Sequence, residues 1–408
     1  MELPFTQRLF YFFPVFFCFC LPFGSLLLSG IVVLWTITAV FNLEKSYLRQ
    51  GFRRPLLWIL YAFFLLTLIS AVFSENFSEA VFAVEIKLSF ILFPFLLFCF
   101  RYPADIFKRC IVAFVSGCFF SCLYLIVRAL IYALSGHPEY FFYTLFSDFI
   151  HASYFAMYLV LAIVFVVIFY RQWFRTQPAV IYSSWFFIGF FITGIFLCSS
   201  KMGLIAFFVC MPLLLFYRYV KTLRLSRLIM FMAGAGVLVW LALLFFPSSF
   251  ARMDSIKNLS IDNIDKNSVE STAVRVLIWQ QALELAKEHW LAGTGVGDAN
   301  VALYKAYEQN GLSGAYSHRL NAHNQFLQTM VGMGVIGLLP LMVLTLGSMA
   351  RAIKTRHFLL FVFSLLVSLH FLVESMLQTS AGVLFFVFFL CFFDLVGEER
   401  LKADPGLA

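Results

Sequence analysis

Charge is the scarcest property of this 408-residue chain. Only 12% of the residues are charged, whereas soluble globular domains carry about twice that share. Hydrophobic residues make up 62% and the mean hydropathy is +0.92, which excludes a soluble globule. The apolar runs also lack the alternation of polar and apolar residues that a membrane β-barrel requires. We therefore expect an all-α polytopic membrane protein, because a helix satisfies its own backbone hydrogen bonds in hydrocarbon.

Apolar runs long enough to cross about 30 Å of hydrocarbon recur along the chain. They predict twelve transmembrane helices, near residues 8–22, 24–42, 55–73, 80–100, 110–134, 152–170, 180–198, 202–217, 228–246, 326–348, 358–374 and 380–396. Only Pro22, Gly24 and Ser25 separate the first two. A cleaved signal peptide is the alternative for Leu9–Gly24, but the lone Arg8 and the lack of a small-x-small cleavage site favour a retained span.

Lysine and arginine are nearly absent from every second short loop. With the amino terminus inside, the predicted inside segments hold 19 of the 29 basic residues. The outside loops at Ser74–Glu79, Leu134–His151 and Ser375–Ser380 hold none. Because positive charge retains loops in the cytoplasm, both termini are predicted to be cytoplasmic. The net charge of +8 follows from this topology and gives no reason to expect a nucleic-acid partner.

The long polar segment of the chain lacks cysteine, so no disulfide stabilises it. It divides the chain into transmembrane helices 1–9 (1–246), a periplasmic loop with amphipathic helices (247–325), and transmembrane helices 10–12 with a short cytoplasmic tail (326–408). A helix is expected from Ser271 to about Trp290, resting either on protein or on lipid headgroups. After it, Gly293-Thr-Gly-Val-Gly297 lacks both the third glycine and the preceding strand of a nucleotide-binding loop, and we interpret it as a turn.

The candidate chemistry lies where this loop enters the tenth span. His323 and Asn324 stand at the mouth of the span, and we expect His323 to lie about one helical turn from Arg319. An interfacial polar cap on a membrane helix would explain such residues without any activity. The functional alternative is a general base, because imidazole is the side chain best suited to accept a proton from a sugar hydroxyl near neutral pH.

These residues resemble a known signature. His323-Asn324 followed by Gly334 and Gly337 is similar to the pattern of the bacterial O-antigen ligases, whose superfamily also contains O-antigen polymerases and bacterial O-oligosaccharyltransferases. The likeness extends to the large loop before a late span, to Arg275-x-x-x-Trp279, to the glycine run and to an acidic residue that ends a late span, Glu374. It covers mainly residues 190–395.

The resemblance implies transfer of a glycan from a polyprenyl pyrophosphate, such as undecaprenyl pyrophosphate, to an acceptor sugar. It also implies a fold like the C-class glycosyltransferases, no required metal or cofactor, a place in lipopolysaccharide biosynthesis, and an active site at the periplasmic face of the bacterial inner membrane. A ligase would use lipid A-core as the acceptor, and a polymerase would use a second lipid-linked repeat unit. A transporter of the lipid-linked glycan is the alternative of another class, although we find no internal repeat or helix break near mid-membrane that favours it.

The expected roles are as follows. His323 is the proposed catalytic base and Arg275 stabilises the departing pyrophosphate with its guanidinium fork. Lys201 stands where similar proteins have an arginine, so it keeps the charge but not the bidentate geometry. Lys87 and Arg128 lie inside spans near their outer ends and are further candidates for binding the phosphates. The supporting residues are Asn324, Arg319, Glu374, Gly334 and Gly337, with Glu374 expected to orient a cation in the site.

Overall fold

The computed structural model of the protein describes residues 4–24, 26–103, 105–170, 179–219, 266–267 and 272–403. Helices and turns account for those residues, and no β-strand occurs among them, as expected for an all-α protein. The helices before the polar segment are α1 (Phe5–Cys20), α2 (Leu26–Val40), α3 (Lys45–Gly51), α4 (Pro55–Val72), α5 (Phe77–Ile86), α6 (Ser89–Phe98), α7 (Ile106–Leu134), α8 (Tyr143–Phe146), α9 (Ala152–Phe165), α10 (Ala179–Leu197) and α11 (Lys201–Tyr219). Those that follow are α12 (Thr272–Glu288), α13 (Ala299–Gln309), α14 (Ser313–Ser317), α15 (Gln325–Met342), α16 (Ser348–Lys354), α17 (Phe358–Phe371) and α18 (Ser380–Ala403).

Among the described residues, seven helical segments are long and apolar enough to cross a bilayer: Phe5–Phe23, Pro55–Val72, Phe77–Phe98, Ile106–Leu134, Ala152–Phe169, Gln325–Lys354 and Ser380–Gly397. Shorter apolar helices coincide with four more of the predicted spans: Leu26–Val40, Tyr182–Leu197, Lys201–Tyr217 and Phe358–Phe371. The predicted span at 228–246 lies outside the described residues. The protein is thus multi-pass and helical, while the predicted number of twelve spans stays a prediction.

The helices form two compact units. The first comprises the described residues within Met1–Glu44 and Phe100–Ser249. At its centre lies α9, all of whose residues are buried, between α7, α10 and α11. A helix that is apolar on every side is expected to be surrounded in this way. In α7, a Cβ at Gly117 would collide with the backbone oxygen of Phe19, so glycine permits direct backbone contact between α1 and α7.

The second unit comprises the described residues within Lys45–Cys99 and Phe250–Ala408. In it, α4 packs against α15 and α6 packs against α18. The helices α12, α13 and α14 enclose an apolar core together with the start of α15, formed by Val274, Leu277, Ile278, Ala282, Ala299, Leu303, Tyr307, Leu312, Ala315, Ala322 and Val331. The apolar stripe predicted for the loop helix therefore rests on protein.

The glycine-rich turn after α12 is bonded to a break in α15. Gly334 has φ +58° and interrupts the helical backbone there. The Thr294 N–H donates to the Val331 carbonyl at 2.7 Å, and the Val335 N–H donates to the Trp290 carbonyl at 2.8 Å. A Cβ at Gly334 would collide with the backbone of Leu291. The two glycine motifs of the sequence therefore meet in one place, which we call the glycine joint, and at Gly293 and Gly334 there is no room for a side chain.

Candidate functional site

The helix of the tenth predicted span begins at Gln325, within one residue of the predicted start. Asn324 is the N-cap of α15, and its Oδ1 accepts a hydrogen bond from the Leu327 N–H at 3.1 Å. The residues between α14 and Asn324 are not helical. The expectation that His323 lies one helical turn from Arg319 is therefore wrong. Arg319 is exposed, and its carbonyl accepts a hydrogen bond from the Tyr304 hydroxyl at 3.0 Å.

His323 has a backbone conformation that is unusual for a residue with a side chain. Its φ is +44°, in the left-handed region. The His323 N–H donates to Oδ1 of Asn321 at 2.9 Å, which closes a local turn. Such a conformation costs on the order of 1–3 kcal/mol and persists only where the surroundings enforce it, as at many active sites. The imidazole side chain is 22% exposed, so it is partly accessible from outside the unit.

Glu374 brings the two principal candidates together. Its Oε1 accepts from Nη2 of Arg275 at 3.2 Å, and its Oε2 lies 3.6 Å from Nδ1 of His323. A second N–H of Arg275, on Nη1, donates to the Val373 carbonyl at 2.7 Å. The carboxylate side chain is 11% exposed and the arginine side chain 27%. One carboxylate thus lies between a guanidinium and an imidazole, and we call these three side chains the Arg–Glu–His cluster.

The arrangement suits proton transfer. Nδ1 of His323 is buried and has no hydrogen-bond partner in the described part of the chain, because 3.6 Å is beyond hydrogen-bonding distance. Catalytic hydrogen bonds are often long in the absence of substrate and shorten when it binds. With Nδ1–H directed at the carboxylate, Nε2 is left unprotonated as the acceptor, and Glu374 can stabilise the imidazolium that forms. Only two of the five N–H groups of Arg275 are used in this cluster.

Side chains at the start of α15 hold the segment that carries Glu374. Nδ2 of Asn324 donates to the Leu372 carbonyl at 3.0 Å, and Oε1 of Gln325 accepts from the Leu377 N–H at 2.7 Å. Sequence reasoning did not single out Gln325 or its neighbour Gln328. The available signal was their position, since two amides in the first turns of a membrane span require hydrogen-bond partners.

Lys87 is not one of the side chains that contact the Arg–Glu–His cluster among the described residues. It is 2% exposed, and its Nζ donates to the Ala83 carbonyl at 3.4 Å. It lines a cavity of about 20 Å³ together with Gln325, Gln328 and Gln378, among others. This volume holds about one water molecule and no pyrophosphate group. Lys87 therefore lies beside the first turns of α15, next to a cavity that is too small for a phosphate group.

Arg128 and Lys201 belong to the first unit. Arg128 forms an ion pair with Asp148 at 2.5 Å and donates to the carbonyls of Leu145 and Phe146, so it fastens the loop that precedes α9. This engagement gives no support to its expected role in phosphate binding. Lys201 is the first residue of α11 and is partly exposed. The helix start is capped by the residue before it, Ser200, whose Oγ accepts from the Gly203 N–H at 3.2 Å.

The two glycines of the predicted signature have structural explanations. Gly334 forms the glycine joint described above. Gly337 leaves room for the side chain of Met333, one turn earlier in α15. No group of three or more His, Cys, Asp or Glu that could hold a metal ion occurs among the residues that the structure describes.

The helices and the Arg–Glu–His cluster together define a multi-pass membrane protein in which an arginine, a glutamate and a histidine meet at the start of a late span. Residues 185–342 match the family model described as O-antigen ligase, which confirms the predicted resemblance to that superfamily over about two fifths of the chain. The match includes Arg275, His323 and both signature glycines, and it ends before Glu374. It indicates ligase- or polymerase-type activity, with a lipid-linked glycan and a glycan acceptor as the general partners. No individually curated protein matches the chain.

Proposed function

We propose that the protein transfers a glycan from a polyprenyl pyrophosphate to a hydroxyl of an acceptor sugar, at the periplasmic face of the inner membrane and without a metal ion. The observation that carries this proposal is the Arg–Glu–His cluster, in which one carboxylate contacts both a guanidinium and an imidazole. The family match supports the same class of reaction. In this proposal the acceptor is of the lipid A-core type, as in an O-antigen ligase.

The reaction is a single displacement. The acceptor oxygen attacks the anomeric carbon, a new glycosidic bond forms, and the bond from that carbon to the pyrophosphate oxygen breaks with its electron pair leaving on the pyrophosphate. The hydroxyl proton goes to Nε2 of His323. Because attack comes from the side opposite the leaving group, the anomeric configuration inverts. Both charges that develop, the imidazolium and the pyrophosphate, face a group of the opposite sign in the cluster.

In this proposal Glu374 links proton uptake by His323 to stabilisation of the departing pyrophosphate by Arg275. Before transfer, the carboxylate holds Arg275 at 3.2 Å and is farther from His323. When His323 takes up the proton, its electrostatic attraction to Glu374 increases. The carboxylate then interacts with two cations, so its interaction with Arg275 weakens. The guanidinium is then more available to the pyrophosphate at the moment when negative charge accumulates there. Arg275 thus acts on the leaving group. Lys201, which stands where similar proteins have an arginine, is a further candidate for binding phosphate on the strength of the resemblance alone.

The test is reconstitution with defined substrates. The purified full chain in liposomes is supplied with a polyprenyl pyrophosphate-linked oligosaccharide and with either lipid A-core or a second lipid-linked unit, and products are separated by mass. Extension of lipid A-core supports the ligase, whereas extension of the lipid-linked unit identifies a polymerase. Movement of the labelled donor between leaflets without any new glycosidic bond would overturn the proposal in favour of a transporter.

A further inference from the structure

Gln328 is a buried side chain that makes two hydrogen bonds to residues outside its own helix. It is 2% exposed, in the second turn of α15. Its Oε1 accepts from the backbone N–H of Ala322 at 2.9 Å, and its Nε2 donates to Oδ1 of Asn300, on α13, at 2.9 Å. Ala322 immediately precedes His323 and is itself fully buried. The amide therefore ties the chain leading into the proposed base to a separate helix.

We propose that Gln328 is a positioning residue that holds His323 in its left-handed conformation and so keeps the imidazole facing Glu374. This inference rests on the proposed function, in which His323 is the base. Two successive peptide N–H groups before the imidazole are fixed, that of Ala322 by Gln328 and that of His323 by Asn321. Asn321 lies in the same loop and can move with it, whereas Gln328 is anchored at both ends.

The segment that carries Glu374 is likewise held by side chains of α15 and its N-cap. Gln325 binds the Leu377 N–H and Asn324 binds the Leu372 carbonyl, so the segment with Glu374 is fixed to the same first turns of α15. The separation of 3.6 Å between imidazole and carboxylate is thus set from one helix end. Without Gln328, the buried Ala322 N–H loses its acceptor and the loop must shift to find another.

Displacing a catalytic group by about 1 Å can slow a reaction by about 100-fold. We therefore expect Gln328→Leu to lower kcat by about 10- to 100-fold with little change in KM for the donor, since Arg275 is untouched. Gln328→Glu keeps an acceptor for the Ala322 N–H, and the Asn300 amide can turn its NH₂ toward the carboxylate. This conservative variant should restore kcat to within about threefold of wild type.

The matched control is Gln281→Leu. Gln281 is also a buried glutamine, and its Oε1 accepts from Nδ2 of Asn310, but among the described residues it has no hydrogen bond to the His323 loop. Loss of kcat in Gln281→Leu equal to that in Gln328→Leu would show a general packing effect and overturn the proposal. If Gln328→Leu is poorly folded, Asn300→Ala removes the anchor while Gln328 stays in place, and it should lower kcat in the same direction.

A second readout needs no transfer activity. Diethyl pyrocarbonate modifies neutral histidines, and mass spectrometry of the full chain gives the rate at His323 relative to the exposed His289. Gln328→Leu should raise this ratio at least threefold, and Gln328→Glu should not. An unchanged ratio in Gln328→Leu contradicts the positioning role. If wild type shows no transfer, the proposed function fails, while the labelling ratio still decides whether Gln328 holds His323.

Discussion

Replacing Glu374 by glutamine removes one charge from the centre of the Arg–Glu–His cluster and keeps its shape. At an effective dielectric constant of about 20, two unit charges at the 3.2 Å separation of Arg275 and Glu374 attract by about 5 kcal/mol. The pair with a protonated His323, at 3.6 Å, is nearly as strong. The glutamine amide can still accept hydrogen bonds, and solvent at the partly exposed imidazole screens the charge–charge attraction. We therefore take about 2–3 kcal/mol as the loss of transition-state stabilisation. That corresponds to transfer slowed by about 30- to 150-fold.

The assay is single-turnover transfer in liposomes with a saturating acceptor, which isolates the chemical step from product release. Glu374→Asp keeps the charge at a longer distance and should be less impaired than Glu374→Gln. Glu284→Gln, an exposed carboxylate on α12, controls for the change of net charge. If Glu374→Gln transfers within threefold of wild type while thermal stability is unchanged, the carboxylate does not stabilise the imidazolium and the coupling argument fails.

Three further predictions concern other parts of the site. His323→Ala and Arg275→Ala should each abolish detectable transfer without loss of expression, and near-normal product from either variant removes that residue from the mechanism. Gly334→Ala should lower the melting temperature in detergent, because Gly334 has positive φ and no room for a Cβ. The control Gly30→Ala, where a Cβ would meet nothing within 4 Å, should not lower it. Equal melting temperatures of the two variants would contradict the close backbone contact at the glycine joint. Arg128→Gln should increase proteolysis of the loop before α9 and reduce transfer less than tenfold, and a loss as large as that of Arg275→Ala would restore a direct role in phosphate binding.

Hydropathy was sufficient to place most helices, because a membrane span must be apolar over a fixed length whatever it packs against. It could not show that α12 rests on protein, since a stripe of leucine and isoleucine would suit lipid equally well. It also indicated the depth of Lys87 but not the direction of its side chain, which depends on the neighbouring helices.

The candidate site was predictable as a set of residue types and not as a geometry. Arg275 and Glu374 are 99 positions apart, so no local pattern indicates that one carboxylate lies beside both arginine and histidine. The left-handed turn at His323 escaped prediction because positive φ is uncommon in any residue with a side chain and no local pattern marks this position. The ion pair of Arg128 escaped prediction for a related reason: its partner Asp148 lies in a loop whose return path the sequence does not specify.

The glycine joint limits how α12 and α15 can move relative to each other. Backbone hydrogen bonds tie the turn after α12 to the middle of α15. Glu374 makes a second link, because it contacts Arg275 near the start of α12 and His323 just before α15. Two attachments at separate points resist hinging, so we expect the guanidinium and the imidazole to move together. In the proposed reaction, a bulky saccharide would then be accommodated by displacement of other elements, with Arg275 and His323 already in place.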